Sequence, residues 1–136
     1  MQQSVIFAPM GALAFLTFGV LILIPIRRFR AGARGEIVGD DFKFGESPSV
    51  PGHVAIPNRN YMNLLELPML FYVGSLMFFV SGKVDALVLG IAWLYVALRF
   101  VHSAIHLTYN DVSHRLIPFA TSNVVLLVYW IAFFVR

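Results

Sequence analysis

Four long apolar stretches, parted by one long polar stretch and two short breaks, organise this chain of 136 residues. Val5–Ile26 runs 22 residues without a charge. At about 1.5 Å per residue that is enough to cross a hydrocarbon core of roughly 30 Å, so it reads as a first membrane helix over 5–26. A cleaved signal peptide is the rival reading. No basic residue precedes the run, however, and Arg27, Arg28 and Arg30 follow it, the charge order of a reverse anchor. The next stretch, 27–61, holds six of the ten basic residues, three of the seven prolines and glycines at 32, 35, 39, 45 and 52. Such punctuation predicts a long polar loop over 27–59, with room for one short helix.

Asn58 or Asn60 is expected to cap a second helix over 60–81, in which Pro68 removes a backbone donor, frees the Leu64 carbonyl and predicts a kink beside Glu66. Gly82 and Lys83 read as a tight turn before a third helix over 84–107. Thr108 to Arg115 reads as a short loop, and a fourth helix spans 116–134 with Pro118 in its first turn, where proline is tolerated. Ala86 and Gly90 form a small-residue pair suited to a close helix neighbour, and Tyr129, Trp130, Phe133 and Phe134 resemble an interfacial aromatic belt. The expected fold is all-α: one domain, an integral membrane four-helix bundle.

The third apolar stretch carries the chemistry. Tyr95, Arg99, His102, His106 and Tyr109 recur at intervals of four, three, four and three, which lines them along one face of a helix. Ionisable groups inside a membrane are expensive and are expected to face the bundle interior. In the second helix Glu66 lies on one face with Asn63, and the simplest arrangement pairs Glu66 with Arg99. Such a pair fixes geometry as readily as it serves chemistry, and a solvated carboxylate at the membrane surface is the plainer reading of Glu66.

Composition supports the membrane class. The chain is 59% hydrophobic and 12% charged, with a mean hydropathy of +0.78, far from the balance of a soluble domain. A charge of +3 suggests no nucleic-acid partner, because the basic residues cluster beside apolar segments. With no cysteine, disulfides and thiolate chemistry by the protein itself are excluded. Six Lys and Arg follow the first helix and Arg115 follows the third, against Lys83 and Arg136 on the other side. This bias places both termini outside and Glu66, His106 and Arg115 toward the cytoplasmic half. It also accounts for the loop arginines; the functional alternative is that one of them reaches an anionic ligand.

The segments NLLELPMLFY and RFVHSAIHLTYNDVSHR, with the four-helix layout, resemble the MAPEG family, the membrane-associated proteins of eicosanoid and glutathione metabolism. The specific motifs lie within about residues 58–123, and the closest likeness is to a bacterial branch, which implies a bacterial inner membrane. The resemblance implies a homotrimer with glutathione, as co-substrate, bound between protomers near the cytoplasmic face. Asn63 and Glu66 match the family's NxxE, and Arg99 and His102 its RxxH; with His106 and Tyr109 they are the implied glutathione contacts. Arg115 stands where prostaglandin and leukotriene synthases carry an arginine implicated in thiol activation. Two departures stand out. His106 replaces a glutathione-contacting tyrosine, with Tyr109 one turn on, and Met62 replaces a frequent arginine, leaving Arg59 to supply that anchor.

The implied activity is a glutathione transferase or peroxidase acting on lipophilic electrophiles or lipid hydroperoxides that arrive through the bilayer. Cations would hold the tripeptide's carboxylates, Glu66 its amine, and Arg115 would favour the thiolate. Two other readings differ in class. One is a non-catalytic scaffold, lipid-binding or accessory to a larger membrane complex. The other is a metal site on the HxxxH pair His102 and His106, completed by Glu66 or His114.

Overall fold

The computed structural model describes residues 1–136, and the chain is all-α. α1 spans Phe7–Ala33 after a 3-10 turn, α2 Gly52–Leu65, α3 Pro68–Val80, α4 Ala86–Leu107 and α5 Val112–Phe134. Four segments are long and apolar enough to cross a membrane: Gln3–Ala33, Gly52–Val80, Ala86–Leu107 and Val112–Phe134. α2 and α3 together make the second of these.

The polar stretch is helical at both ends, so its irregular part is shorter than the 27–59 expected. α1 continues past Ile26 through residues that favour helix, and Arg27 anchors the extension. Its Nη1 donates to the His53 carbonyl at 2.9 Å and its Nη2 to the Leu107 carbonyl at 3.2 Å, tying α1 to α2 and to the end of α4. α1 stops at Gly35, whose φ of +72° is open to glycine. Gly35 N–H then donates to Gly32 and Glu36 N–H to Ala31, the paired bonds that satisfy a helix's last carbonyls. The same pattern, with Gly82 at φ +68°, turns the chain between α3 and α4. Between α1 and α2 the chain folds back over α1, where Ala31, Ile37 and Val54 bury a small apolar cluster. Arg28 lies 4.2 Å from the Phe42 ring centre and 3.5 Å from Glu46.

Acidic caps start the last two helices. Asp85 accepts from the Val88 N–H and Asp111 from the His114 N–H, both at 2.9 Å. The Asp111 cap begins α5 at Val112, four residues before the expected start at Leu116. Arg115 consequently lies on the first turn of α5 and not in a loop, and Pro118 lies in the second turn. The bonds from the Val88 and His114 backbones hold both carboxyls below their ordinary value. Because the folded values are the lower ones, the caps stabilise fully above the unfolded carboxyl pKa of about 3.9. That contribution is lost as pH falls through the folded values. The thermal midpoint in detergent is therefore expected to fall on acidification below about pH 4, less steeply in the double variant Asp85→Asn, Asp111→Asn.

The main core joins α1 to α5 through Leu13, Val20, Leu64, Phe71, Phe78, Val88, Tyr95 and Tyr129. Tyr129 was expected in an interfacial belt; it is 1% exposed. A phenol inside a bundle needs a partner, and the Ser75 hydroxyl supplies one at 3.0 Å. Trp130 Nε1 donates to the Leu70 carbonyl at 3.1 Å. Gly74 lets α3 and α5 meet here, since a Cβ would lie 3.3 Å from the Tyr129 ring. Phe133 packs edge-on against Phe78, and only Phe134 of the four is well exposed. No other part of the chain lies within reach of a Cβ at Gly90, so the pair Ala86 and Gly90 makes no close helix contact within the chain. Broad apolar faces remain exposed, among them Phe15, Phe18, Ile22, Leu94, Ile117 and Val124, as a lipid environment permits.

Candidate functional site

The site begins at the break between α2 and α3. Pro68 has no N–H for the Leu64 carbonyl, so α2 ends at Leu65, Glu66 takes ψ −103°, and α3 restarts with Pro68 in its first turn. Leu67 N–H makes no backbone bond, and the Asn63 carbonyl that would accept it accepts Arg99 Nη2 at 3.0 Å instead. Arg99 thus caps the C-terminal end of α2, where a cation and a hydrogen-bond donor are both favoured.

This arrangement corrects the expected pairing of Glu66 with Arg99. No ion pair joins them. Glu66 is exposed in the groove, and the break presents the Asn63 carbonyl to the guanidinium in its place. Arg99 is completely buried, with Nε and Nη1 unpartnered and the Phe119 ring centre 5.5 Å away.

The stripe on α4 is buried as its spacing predicts, as far as His106. Tyr95, Arg99, His102 and His106 are each 4% exposed or less. Tyr109 departs from it: α4 ends at Leu107, the helical register stops, and Tyr109 is 61% exposed. Its hydroxyl lies 3.2 Å from His114 Nδ1, away from the other site residues.

The two stripe histidines are oriented by different partners. His102 Nδ1 donates to the Arg115 carbonyl at 3.0 Å, which leaves Nε2 as an acceptor, buried and unpartnered. His106 Nδ1 accepts from Asn60 Nδ2 at 3.2 Å, and Asn60 Oδ1 accepts from Ser103 Oγ at 3.0 Å. Asn60, expected as a helix cap, is a fully buried residue inside α2 that binds two residues of α4. Replacing it with alanine strands both partners. Asn60→Ala is expected to cost about 1–3 kcal/mol, read as a lower thermal midpoint in detergent.

A groove of about 520 Å³ opens between α2, α4 and α5. Arg59, Asn63, Glu66, His102, His106, Asn110 and Arg115 line it together with Ile56, Met62, Val112, Leu116 and Phe119. Asn63, Glu66, His102, His106 and Arg115 are therefore brought together. Arg99 stands behind them, and Tyr109 is outside. Arg59 faces the groove one turn before Met62, while Arg27 and Arg28 are spent on the fold. Sequence reasoning missed Asn60 and Asn110. Asn60, Asn63 and Glu66 follow one another at intervals of three, and that polar face was the available signal for Asn60. Asn110 carried none, because its place depends on where α4 ends. The metal reading lacks a third ligand: the His102 and His106 rings are 5.6 Å apart, His114 sits with Tyr109, and no three His, Asp or Glu side chains converge.

These features define an integral membrane protein of four apolar spans with a polar groove cut into one end of the bundle. The sequence model of the MAPEG family matches residues 6–135, and the chain belongs to that family. None of the curated proteins and none of the solved structures compared with it matches.

Proposed function

We propose that the protein is a glutathione-dependent transferase or peroxidase acting on lipophilic electrophiles or lipid hydroperoxides, with the groove as its thiol site. The observation that carries this reading is the convergence of two cations, Arg59 and Arg115, with the carboxylate of Glu66 and the amide of Asn63 in one groove. Glutathione carries carboxylates, an ionisable thiol and one ammonium group, anions that the two arginines can hold and a cation that Glu66 can receive. The apolar wall of Val112, Leu116 and Phe119 suits a second substrate that enters from the bilayer.

In this reading Arg59 and Arg115 hold carboxylate and thiolate charge, Glu66 receives the ammonium, and His102 Nε2 accepts a hydrogen bond at the groove floor. The thiol supplies the nucleophile that the cysteine-free chain lacks. In transfer, sulfur bonds to carbon, the electrophile's leaving bond breaks and the thiol proton passes to solvent. In peroxide reduction, sulfur takes one oxygen, the alcohol leaves with a proton, and a second thiol completes the disulfide and releases water. The working form is a homotrimer in a bacterial inner membrane, with both termini periplasmic. Supporting this orientation, the arginines of α1 and of the segment after it lie toward the groove end of the bundle, and Lys83 and Arg136 at the other.

Calorimetric titration of reduced glutathione into the detergent-purified protein tests the proposal. Saturable uptake is expected, weakened about tenfold or more in Glu66→Gln and in Arg115→Ala, as loss of one charge-assisted bond predicts. No uptake by the wild type at millimolar glutathione would remove the enzyme reading. It would favour the scaffold, a reading supported by Met62 in place of an anchoring arginine and by His106 being engaged with Asn60.

A further inference from the structure

Asn110 is the one residue other than glycine with a positive φ, at +50°. It lies in the short connection between α4 and α5, at the mouth of the groove. Its N–H donates to the Ile105 carbonyl at 2.8 Å, closing the end of α4. Glycine is the residue that adopts such a backbone without cost; asparagine tolerates it less well, though better than most side chains. The side chain that asparagine adds is in use, because Arg115 Nη1 donates to Asn110 Oδ1 at 2.6 Å.

The other end of Arg115 is also held. His102 Nδ1 donates to the Arg115 carbonyl across the α4–α5 contact, and the Asp111 cap sets the helical turn from which Arg115 projects. Only the guanidinium is left to move, and Asn110 is the one side chain hydrogen-bonded to it. A neutral amide acceptor orients the fork without neutralising it, whereas an acidic residue in the same place would take up its charge. One edge of the guanidinium is thereby fixed, and its remaining N–H groups stay available to an anion in the groove.

We infer that Asn110 is a positioning residue for the groove's reaction: its left-handed backbone and its side-chain oxygen together hold the Arg115 guanidinium in place and leave its charge free for the thiolate. The inference rests on the reading of the groove as a glutathione site for its functional half. Its structural half, the clamp, stands apart from any ligand. Holding a charged group in advance of reaction is worth most where displacement by about 1 Å costs as much as a hundredfold in rate.

The test uses the whole protein in detergent micelles and two variants. Asn110→Gly keeps the backbone conformation and removes the acceptor; Asn110→Asp keeps an acceptor and adds charge. NMR of isotope-labelled arginine side chains, with Arg115 assigned by its loss in Arg115→Lys, reads the order of the guanidinium. An ordered Arg115 in the wild type that becomes mobile in Asn110→Gly and ordered again in Asn110→Asp supports the clamp. Equal order in wild type and Asn110→Gly overturns it, as does failure of Asn110→Asp to restore order.

The second readout is kinetic. In Asn110→Gly, kcat/KM toward a lipophilic electrophile is expected to fall about tenfold or more, with glutathione affinity within about threefold of wild type and an unchanged thermal midpoint. In Asn110→Asp the guanidinium is ordered but paired, and the thiolate absorbance of bound glutathione at neutral pH is expected to drop. Wild-type kcat/KM in Asn110→Gly, beside a large loss in Arg115→Ala, overturns the positioning role and leaves the glutathione reading intact. An ordered Arg115 in a protein that takes up no glutathione does the reverse: it supports the clamp and removes the reading of the groove.

Discussion

Arg115→Ala is expected to lower kcat/KM for glutathione conjugation by about 100- to 1,000-fold, the usual loss when one preorganised donor to a developing anion is removed. A thiol is a weak nucleophile at neutral pH until a nearby positive charge favours its ionised form. In the groove, Arg59 and Arg115 are the cations available for that purpose, and Arg115 has its guanidinium hydrogen-bonded in place. The truncation also spares the fold. His102 bonds to the Arg115 carbonyl and not to its side chain, so the bond between α4 and α5 survives in the alanine variant. Arg115→Lys keeps the charge and loses the planar fork, and an intermediate rate is expected. Steady-state kinetics in proteoliposomes, beside the thermal midpoint of each variant, make the measurement. A rate within about threefold of wild type for the alanine variant would remove Arg115 from the chemistry, since a preorganised donor typically contributes about a hundredfold or more.

Arg99→Met is expected to leave the thermal midpoint unchanged or raised while weakening glutathione binding about tenfold or more, a loss of roughly 1.4 kcal/mol or above. Taking a guanidinium out of water costs several kcal/mol. Arg99 recovers part of that through a single hydrogen bond to the Asn63 carbonyl and the favourable field at the end of α2. Two of its nitrogens make no hydrogen bond. Methionine fills similar space among Phe119, Tyr95 and their neighbours, and buried charges replaced by apolar side chains of like size are often neutral or stabilising. The binding loss has a separate origin. Without the guanidinium on its carbonyl, Asn63 is released, and the end of α2 that presents Asn63 and Glu66 to the groove is no longer fixed. A fall in midpoint as large as that of Asn60→Ala, with binding retained, would make Arg99 a structural ion and nothing more.

The two residues show how far the chain could be read in advance. The interval of four, three and four from Tyr95 to His106 was enough to place Arg99, His102 and His106 inside the bundle, because helical geometry and the cost of charge in lipid leave no other face for them. The missing N–H of Pro68 was enough to place a kink beside Glu66, which the structure makes a full break between α2 and α3. Neither observation could say which acceptor Arg99 would reach. Charge alone favoured Glu66, but Glu66 stays exposed in the groove without an ion pair, and the break frees the Asn63 carbonyl for the guanidinium. Tyr109 and Tyr129 failed for related reasons. Extending the stripe to Tyr109 carried the helical register past residue 107, where the helix was itself expected to end and does end, and assigning Tyr129 to a belt ignored a serine fifty-four residues away that could satisfy its hydroxyl.

The sequence by itself determined that this is an all-α membrane protein of four spans, with a kinked second span, a buried polar face on the third and the marks of the MAPEG family. Run length against bilayer thickness, side-chain periodicity and proline's missing donor are local properties, and each acts without knowledge of the rest of the chain. The tertiary structure alone decided that Asn60 joins α2 to α4, that Arg99 caps α2, that Arg115 rises from the first turn of α5, and that Asn110 holds it. Those outcomes depend on where helices end and how closely they cross. Distances of a few ångströms between residues far apart in the chain select one hydrogen-bond partner from several that the sequence leaves equally available.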